Sequence, residues 1–386
     1  MIPTEDQVAL RDLARRFARE RLLPDYQKRE KVGKLDRALV VEMGRLGLLG
    51  LDLGEEYGGL GASGVTVGTV IEELGYGDFN MSNVALNVSL TGAIITRNAH
   101  RELAQAWVPK MVTGEKIVGV CLTEPSVGSD AANLSVRCRR EGDHYVINGE
   151  KTSITFADSA DAFVVFVRTG KPEDGAGGVS AVLVPSDAHG LARTRFDDVG
   201  SIIIGRGSVF FEDVKIPVTN RLGEEGKGFS QVMQGFDYSR ALIALQCIGA
   251  AQASLDEAWA YTRERQAFGG PIAQFQGVTF PLVEQETQLA AVRELSYHSL
   301  ELRDAKLPHT AEAAMVKWLG PKTAFEAIHQ SLLTFGHYGF SKDTPHQQRM
   351  RDVMGLQIGD GTAGIMKLIV ARERVGKAAV QYAKKK

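Results

Sequence analysis

The chain has 386 residues, of which 44% are hydrophobic and 24% charged, with a formal net charge of −2. This length allows two or three domains with a large core, and the balanced charge excludes a basic field that would recruit nucleic acid or an anionic membrane. No apolar run approaches the roughly eighteen residues of a membrane span. We therefore expect no nucleic-acid partner and no membrane insertion.

The chain start and the cysteines favour a reducing compartment. Thr4 and Gln7 are predicted to form a capping box, and no cationic and apolar signal region precedes them. At the other end, Lys384–Lys386 is interpreted as a solvated end. The cysteines are widely spaced without a Cys-x-x-Cys pair, and the eight histidines lack metal-ligand spacing. The expected localisation is cytoplasmic, and no metal site is assigned.

The first region, residues 1–115, has helical periodicity. Apolar residues recur every three or four positions, as at Val67, Val70, Ile71 and Leu74. Several of these runs end at glycines. We predict an N-terminal helical domain.

The middle region, residues 116–225, changes to short runs rich in β-forming residues. Asn148-Gly149 and Gly175–Gly178 are predicted to supply turns between them. Alternating βαβ units are absent, so a small barrel or sandwich is expected. The predicted strands are Ile117–Leu122, Tyr145–Ile147, Phe163–Val167, Val179–Val184 and Val209–Phe211.

The last region, residues 226–386, is helical again. Its long periodic runs are Phe229–Arg265, Ile272–Asp304 and Thr310–Phe335. Runs of this length predict a packed helical bundle or a subunit interface. The whole chain is thus expected to be an α+β multidomain protein.

A carboxylate near the chain end is the first catalytic candidate. Asp360 lies in Leu356–Thr362, a glycine-flanked loop that runs into a periodic helix from Ile365 to Arg374. Such a loop can aim a base into a pocket. An Asp or Thr before a helix is also an ordinary N-cap, and the loop alone leaves both interpretations open.

A second candidate segment is Cys121–Asp130, where a strand ends in a turn with Pro and Gly. Its hydroxyls and backbone N–H groups can bind a polar ring edge and a phosphate. No nearby His activates Cys121, so we interpret it as a buried structural thiol.

Several segments in order resemble the acyl-CoA dehydrogenase family. Leu122-Thr123-Glu124-Pro125 with Gly128-Ser129-Asp130 is similar to its flavin signature. The supporting segments span nearly the whole chain: Glu72–Gly75, Asn148–Lys151, Phe211–Pro217, Leu222–Phe229, Glu264–Gly269 and Gln357–Thr362. The resemblance implies a helical domain, a middle β-domain and a C-terminal four-helix bundle, in a homotetramer that binds FAD between subunits.

The resemblance also implies roles for individual residues. FAD would meet Leu122, Thr123, Ser129, Ser153, Thr155 and Thr362 of one subunit, and Arg265, Phe268 and Gln276 of its neighbour. Asp237 and Arg240 match positions that line the acyl-CoA site, with Ser129 and Gly361 beside the substrate. Without the resemblance, Asp237 and Arg240 would be interpreted as a surface ion pair on a helix.

The implied reaction gives Asp360 a task. A carboxylate removes the α-proton of the thioester while a hydride leaves the β-carbon for the flavin, and an electron-transfer flavoprotein is the implied acceptor. Fixed donors must stabilise the charge on the thioester oxygen, and one such donor contributes about 3–4 kcal/mol. The family pattern implies a ribityl hydroxyl and a backbone N–H next to the base.

The chain departs from the family at four positions near the chemistry. The usual base is Glu after an aromatic residue, and here it is Asp360 after Gly359. Ser153 stands where Trp is common, and Ser239 occupies the alternative base position of some relatives. Ser239 cannot serve as a base, which leaves Asp360. The smaller side chains at Ser153, Gly359 and Asp360 predict space at the reacting carbons and hence an alicyclic thioester such as cyclohexanecarboxyl-CoA.

Alternatives remain open. Short-chain, branched-chain or aryl-substituted acyl-CoA substrates, a flavin oxidase of the same fold, and a non-catalytic assembly factor are each compatible with the sequence.

Overall fold

The structure is a computed structural model that describes residues 4–379. The expectation for Met1–Pro3, that no signal region is present, lies outside the described residues. The expectation that Lys384–Lys386 is a solvated end also lies outside them. Within residues 4–379, no helix is long and apolar enough to cross a membrane, and no group of three or more His, Cys, Asp or Glu could hold a metal ion.

The N-terminal helices confirm the predicted helical region. Thr4 and Gln7 close the predicted capping box at the start of the first helix. Asp78 caps a helix that is buried along most of its length. In chain order the helices are α1 Glu5–Phe17, α2 Tyr26–Val32, α3 Arg37–Arg45, α4 Gly64–Gly77, α5 Phe79–Asn98 and α6 Arg101–Val112.

The middle region forms an eight-stranded mixed sheet in the described part of the chain. The strand order is β6-β7-β3-β2-β4-β5-β8, and β1 pairs in parallel with β4. The strands are β1 Val118–Cys121, β2 Arg137–Glu141, β3 His144–Ile154, β4 Ala162–Arg168, β5 Val179–Pro185, β6 Leu191–Arg193, β7 Gly207–Pro217 and β8 Arg221–Leu222. Strands β4 and β5 are buried on both faces, as their almost entirely apolar sequences suggest.

One turn prediction was wrong. Asn148 and Gly149 lie inside β3, where the pairing with β7 shifts register after Ile147. A Cβ at Gly149, whose φ is 136°, would lie 2.9 Å from a methyl carbon of Val136. The pair therefore forms a bulge that needs glycine, and the chain turns earlier, at Gly142 with φ 62°.

The C-terminal region is helical, with a small hairpin after its first helix. The elements are α7 Gly228–Glu264, β9 Gln266–Ala267, β10 Gly270–Pro271, α8 Gln276–Asp304, α9 Thr310–Thr334, α10 His346–Met354 and α11 Ala363–Val375. Helix α7 packs against α4, α5, α8 and α9 and so joins the two helical regions. Where α4 crosses α7, a Cβ at Gly75 would lie 2.6 Å from the carbonyl oxygen of Gln246, so the close approach requires glycine.

A buried polar network ties α10 to the N-terminal helices. One carboxylate oxygen of Asp352 accepts hydrogen bonds from the Tyr26 hydroxyl at 2.5 Å and from Asn80 Nδ2 at 2.9 Å. Its other oxygen accepts one from the Ser201 N–H. Burial raises the pKa of Asp352 to about 7. Because α10 leads directly into Leu356–Thr362, this network fixes where the candidate loop begins.

Replacing Tyr26 with Phe should lower the free energy of unfolding by about 1–3 kcal/mol, since it removes a donor from a buried carboxyl group. Urea unfolding followed by circular dichroism measures the change. The matched control is Tyr261→Phe, whose half-buried ring keeps its stacking on Phe335 at 4.3 Å. Equal losses in the two variants would remove Tyr26 from its role in the network.

Candidate functional site

The loop that contains Asp360 connects two helices. A short 3-10 turn, Gly355–Gln357, follows α10, and Thr362 is the N-cap of α11, accepting a hydrogen bond from the Ile365 N–H at 3.4 Å. Asp360 precedes this cap and has φ 55°. The N-cap interpretation therefore holds for Thr362 and is wrong for Asp360, whose carboxylate remains available for another task.

Asp360 lies near two cations from different helices. Lys317 comes from α9 and is fully buried, and Arg240 comes from α7 and is 4% exposed. Burial raises the pKa of the half-buried Asp360 carboxyl group, while Lys317 and Arg240 act in the opposite direction. The Asp360 carboxylate is therefore partly removed from water, and the positive charges of Lys317 and Arg240 partly compensate for that loss of solvation.

Arg240 is held by Asp237, which the sequence also predicts to line the acyl-CoA site. One guanidinium nitrogen of Arg240 donates to Asp237 Oδ1 at 2.6 Å, and the Thr310 hydroxyl donates to Asp237 Oδ2 at 2.8 Å. The Arg240 Nε has no hydrogen-bond partner among the described residues. The predicted i, i+3 pair is thus present, but its arginine is buried, and this N–H is a donor that a ligand could use.

The predicted flavin-ring residues come together at the ends of β1 and β3. Leu122 and Thr123 follow β1, and the Thr123 carbonyl accepts a hydrogen bond from the Thr152 N–H at 2.9 Å. This contact places Ser153 and Thr155 beside the same strand end. Ser153 is exposed with φ 60°, and Thr155 is half-buried.

These residues suit a flavin nucleotide. Thr123 and Thr155 are half-buried, and Ser129 and Ser153 are exposed, so hydroxyl groups lie at the surface of the sheet domain. A Cβ at Gly128, beside Ser129, would have no atom within 4 Å, so the backbone of this glycine is accessible. Hydroxyl donors and free backbone are what a polar ring edge and phosphates require. The residues present therefore fit FAD.

A buried lysine supports the loop after β1, which the sequence predicts to bind flavin, and the sequence reasoning gave this lysine no role. Lys151 Nζ donates to the Leu122 carbonyl and to Glu124 Oε1, both at 2.9 Å. Glu124 also accepts from the Ser135 N–H at 2.7 Å and the Val136 N–H at 2.9 Å. The Lys151 and Glu124 side chains are 0% and 2% exposed. Both residues lie in segments that resemble the family, Leu122–Pro125 and Asn148–Lys151, but the sequence analysis assigned neither of them a role.

A second buried lysine was missed near Asp360. Lys317 Nζ donates to the Leu356 carbonyl at 2.6 Å and the Gly361 carbonyl at 3.2 Å. Gly361 has φ 101°, and a Cβ there would clash with Met366. Lys317 follows Ala313–Val316 in an apolar stretch of α9, which is the signal that could have identified it.

The remaining predicted cofactor residues lie elsewhere. Arg265, Phe268 and Gln276 surround the β9–β10 hairpin, and Phe268 is 95% exposed. Arg240 and Glu264 belong to the same helix, α7, and their spacing corresponds to about 36 Å at 1.5 Å per residue. The structure therefore separates the hairpin from the Arg240 end of α7.

Two surface hollows do not include the predicted residues. A hollow of about 690 Å³ lies beside Trp107, Lys116 and Asp161. Another of about 490 Å³ lies beside Arg137, Tyr145 and Glu225. The chemistry of the side chains, rather than the size of a hollow, identifies the candidate site.

Family models match almost all of this architecture. The acyl-CoA dehydrogenase N-terminal domain matches residues 4–115, the middle domain matches 119–214, and the C-terminal domain matches 226–374. The chain belongs to the acyl-CoA dehydrogenase family. Its helical, mixed-sheet and helical regions are the three-domain fold of that family.

Individual proteins are similar over nearly the full chain. The mitochondrial short-chain specific acyl-CoA dehydrogenase of Rattus norvegicus is 35% identical over 369 residues, which cover 95% of this chain and 89% of the relative. A chain in the structure "Electron transferring flavoprotein of Acidaminococcus fermentans" aligns with TM-score 0.94 and 31% identity, covering 97% of this chain and 99% of that one. "PigA with FAD and proline" aligns with TM-score 0.94 and 25% identity, covering 98% and 99%.

The family establishes the general activity. The protein is an FAD-dependent oxidoreductase that dehydrogenates an acyl-CoA. The sequence prediction of the family, the fold and the cofactor is confirmed.

Replacing Lys151 with Met should lower the free energy of unfolding by about 3–5 kcal/mol, because Glu124 would keep a buried charge without its cation. Urea unfolding and the FAD content of the purified protein are the measurements. Adding Glu124→Gln should recover part of the loss. The control Lys28→Met changes a pair whose side chains are 75% and 56% exposed and should have almost no effect. Similar behaviour of Lys151→Met and Lys28→Met would contradict the supporting role of Lys151.

Proposed function

We propose that Asp360 is the base that removes the α-proton of the acyl-CoA. The observation that supports this role is the position of Asp360 outside the helix cap, near the buried Lys317 and Arg240. Bound FAD supplies the acceptor for the hydride that leaves the β-carbon. For Asp360, burial strengthens the carboxylate as a base, because it raises the pKa of the group towards the working pH.

Other residues of the chain would hold the substrate and the cofactor. We propose that Arg240, fixed by Asp237, donates its free Nε hydrogen within the acyl-CoA site, with Ser129 and Gly361 beside the thioester. Leu122, Thr123, Ser153, Thr155 and Thr362 would bind FAD. The contact between Thr123 and Thr152 and the hydroxyl groups at the surface of the sheet domain support this arrangement.

For the acyl group we propose an alicyclic thioester such as cyclohexanecarboxyl-CoA. A Cβ at Gly359 would meet only the Gly355 carbonyl oxygen at 3.5 Å and a Leu356 methyl at 3.9 Å. These are ordinary contact distances, so the backbone here has room for a side chain that the sequence does not supply. Together with Ser153 and the short Asp360 side chain, this room suits a substrate that is bulky at the α-carbon.

A short straight chain is the second candidate. The similarity to the short-chain specific dehydrogenase of Rattus norvegicus favours it. The two candidates differ in the width they need at the reacting carbons, which makes Gly359 the position that distinguishes them.

The proposed assembly is a homotetramer that shares FAD between subunits. The span of about 36 Å along α7 argues that Arg265, Phe268 and Gln276 bind a neighbour's cofactor. Exposed apolar side chains on the same helical region, Phe268, Phe280, Val283 and Leu333, would be covered by that neighbour. The proposed electron acceptor is an electron-transfer flavoprotein, with support from the similar chain in the Acidaminococcus fermentans structure.

The base assignment is tested by anaerobic titration of the holoenzyme with a panel of acyl-CoAs. Asp360→Asn should still bind substrate, seen as a perturbed flavin spectrum, but its rate of flavin reduction should fall by about 10²–10⁴-fold because the base is lost. Asp343→Asn, in a loop before α10, is the control and should reduce flavin normally. Normal flavin reduction by Asp360→Asn would exclude Asp360 as the base.

The acyl group is tested by filling the space at Gly359. Gly359→Tyr should lower turnover of cyclohexanecarboxyl-CoA relative to butyryl-CoA by about 10–200-fold, since only the wide substrate needs that volume. Gly355→Tyr is the matched control, because a Cβ there has no neighbour within 4 Å and the residue precedes the base by one turn. The alicyclic proposal fails if the wild type prefers a straight chain, or if Gly359→Tyr slows both substrates equally.

A further inference from the structure

Lys317 occupies an unusual environment for a lysine. Its side chain is fully buried in the first half of α9. Lysine is rarely fully buried unless it is paired, yet the polar atoms that its Nζ contacts are the carbonyl oxygens of Leu356 and Gly361, at 2.6 and 3.2 Å. The positive charge is thus bound to neutral backbone groups, and both belong to the loop of the proposed base.

The two carbonyls lie at the two ends of the segment that contains Asp360. Leu356 belongs to the 3-10 turn after α10, and Gly361 directly precedes the N-cap of α11. Between them, Asp360 has φ 55°, a conformation that non-glycine residues keep only when their surroundings hold it. A single ammonium group that binds both ends restrains the whole segment.

The charges around this segment leave Lys317 without a carboxylate hydrogen-bonded to it in the described residues. Arg240 faces Asp237, Asp360 and Arg372, and its charge is shared with Asp237 at 2.6 Å. Lys317 faces Asp360, Arg240 and the thiol of Cys247. Asp360 in turn faces Lys317 and Arg240. The charge of Arg240 is partly neutralised by Asp237, whereas Lys317 has no such carboxylate partner among the described residues. Lys317 is therefore the cation that attracts the Asp360 carboxylate with the least competition from another anion.

We propose that Lys317 is a positioning residue for the base: its ammonium group fixes the loop at Leu356 and Gly361, and its charge keeps Asp360 ionised. This proposal rests on the proposed role of Asp360.

The charge of Lys317 and its hydrogen bonds should affect different features of the pH profile of flavin reduction. The base works only when ionised, so flavin reduction slows as the pH falls through the pKa of Asp360. Burial raises this pKa and Lys317 lowers it. Removing the positive charge should raise the pKa further and move the acid limb of the pH profile to higher pH. Removing the hydrogen bonds should instead lower the maximal rate, because the base loses its position.

The test compares holoenzymes of the wild type, Lys317→Met, Lys317→Arg and Lys322→Met. Lys322 lies on the same helix in an exposed pair with Glu326. The rate of anaerobic flavin reduction at saturating acyl-CoA is measured across the pH range. Lys317→Met should move the acid limb up by about one pH unit and lower the maximal rate by about 10–100-fold. Lys317→Arg should keep the wild-type limb, and Lys322→Met should match the wild type throughout.

Lys317→Gln tests the charge if Lys317→Met does not retain FAD, because glutamine keeps a donor and loses only the charge. Its acid limb should also move to higher pH. An acid limb that stays at the wild-type position in both uncharged variants would overturn the proposal, since a purely structural lysine would change stability and not this limb.

The Asp360→Asn background separates this proposal from the proposed function. If Asp360 is the base, the double variant Asp360→Asn/Lys317→Met should have the same residual rate of flavin reduction as Asp360→Asn. Its pH profile should also match that of Asp360→Asn, because the group whose pKa Lys317 changes is no longer present. Full flavin reduction by Asp360→Asn would refute the base itself. Loss of reduction in Asp360→Asn together with wild-type behaviour of Lys317→Met would refute only the positioning role.

Discussion

Buried lysine ammonium groups that bind backbone carbonyls are the interaction on which the proposed site depends. Lys151 binds the Leu122 carbonyl in the loop proposed to bind flavin, and Lys317 binds the carbonyls of Leu356 and Gly361 in the loop of the proposed base. Neither loop has a regular ladder to hold its carbonyls, and an unsatisfied buried polar group is costly. In both cases a rigid element, β3 or α9, supplies the cation and thereby fixes an irregular segment.

Helix α7 determines the distance between Arg240 and the β9–β10 hairpin. It packs against both helical regions and presents Arg240 in its first half and the β9–β10 hairpin after its end. Because the helix is rigid, one chain cannot fold the hairpin back onto its own Arg240 region. An exposed aromatic ring such as Phe268, at 95% exposure, makes physical sense when another subunit covers it. In the proposed homotetramer, cofactor binding and assembly are two aspects of one geometry.

The sequence predicted the elements whose signals are local. The Thr4/Gln7 capping box and the apolar strands β4 and β5 depend on neighbouring residues, and the structure contains them. Asn148-Gly149 failed because the same residue pair serves a hairpin turn or a bulge, and the pairing of β3 with β7 decides between them. The hydrogen bonds of Lys151 and Lys317 to loop carbonyls could not be predicted. The periodicity of a helix or strand shows which face a side chain lies on, but not which backbone carbonyls of a distant loop it will contact.

The surroundings of Asp360 argue against a loop that merely kept an ancestral shape. Apolar residues of similar volume often stabilise a protein as well as buried ionic groups do, so folding alone does not require Lys317 and Arg240 at these positions. Asp360 would also be relieved of strain by glycine, because its φ is 55°. The two buried cations and the left-handed backbone conformation of Asp360 are explained together by the proposed role of this loop, which is to present an ionised base. In the proposed mechanism, the shorter side chain of Asp360 moves the site of proton removal closer to the loop, where the absence of a side chain at Gly359 leaves room for the proposed substrate.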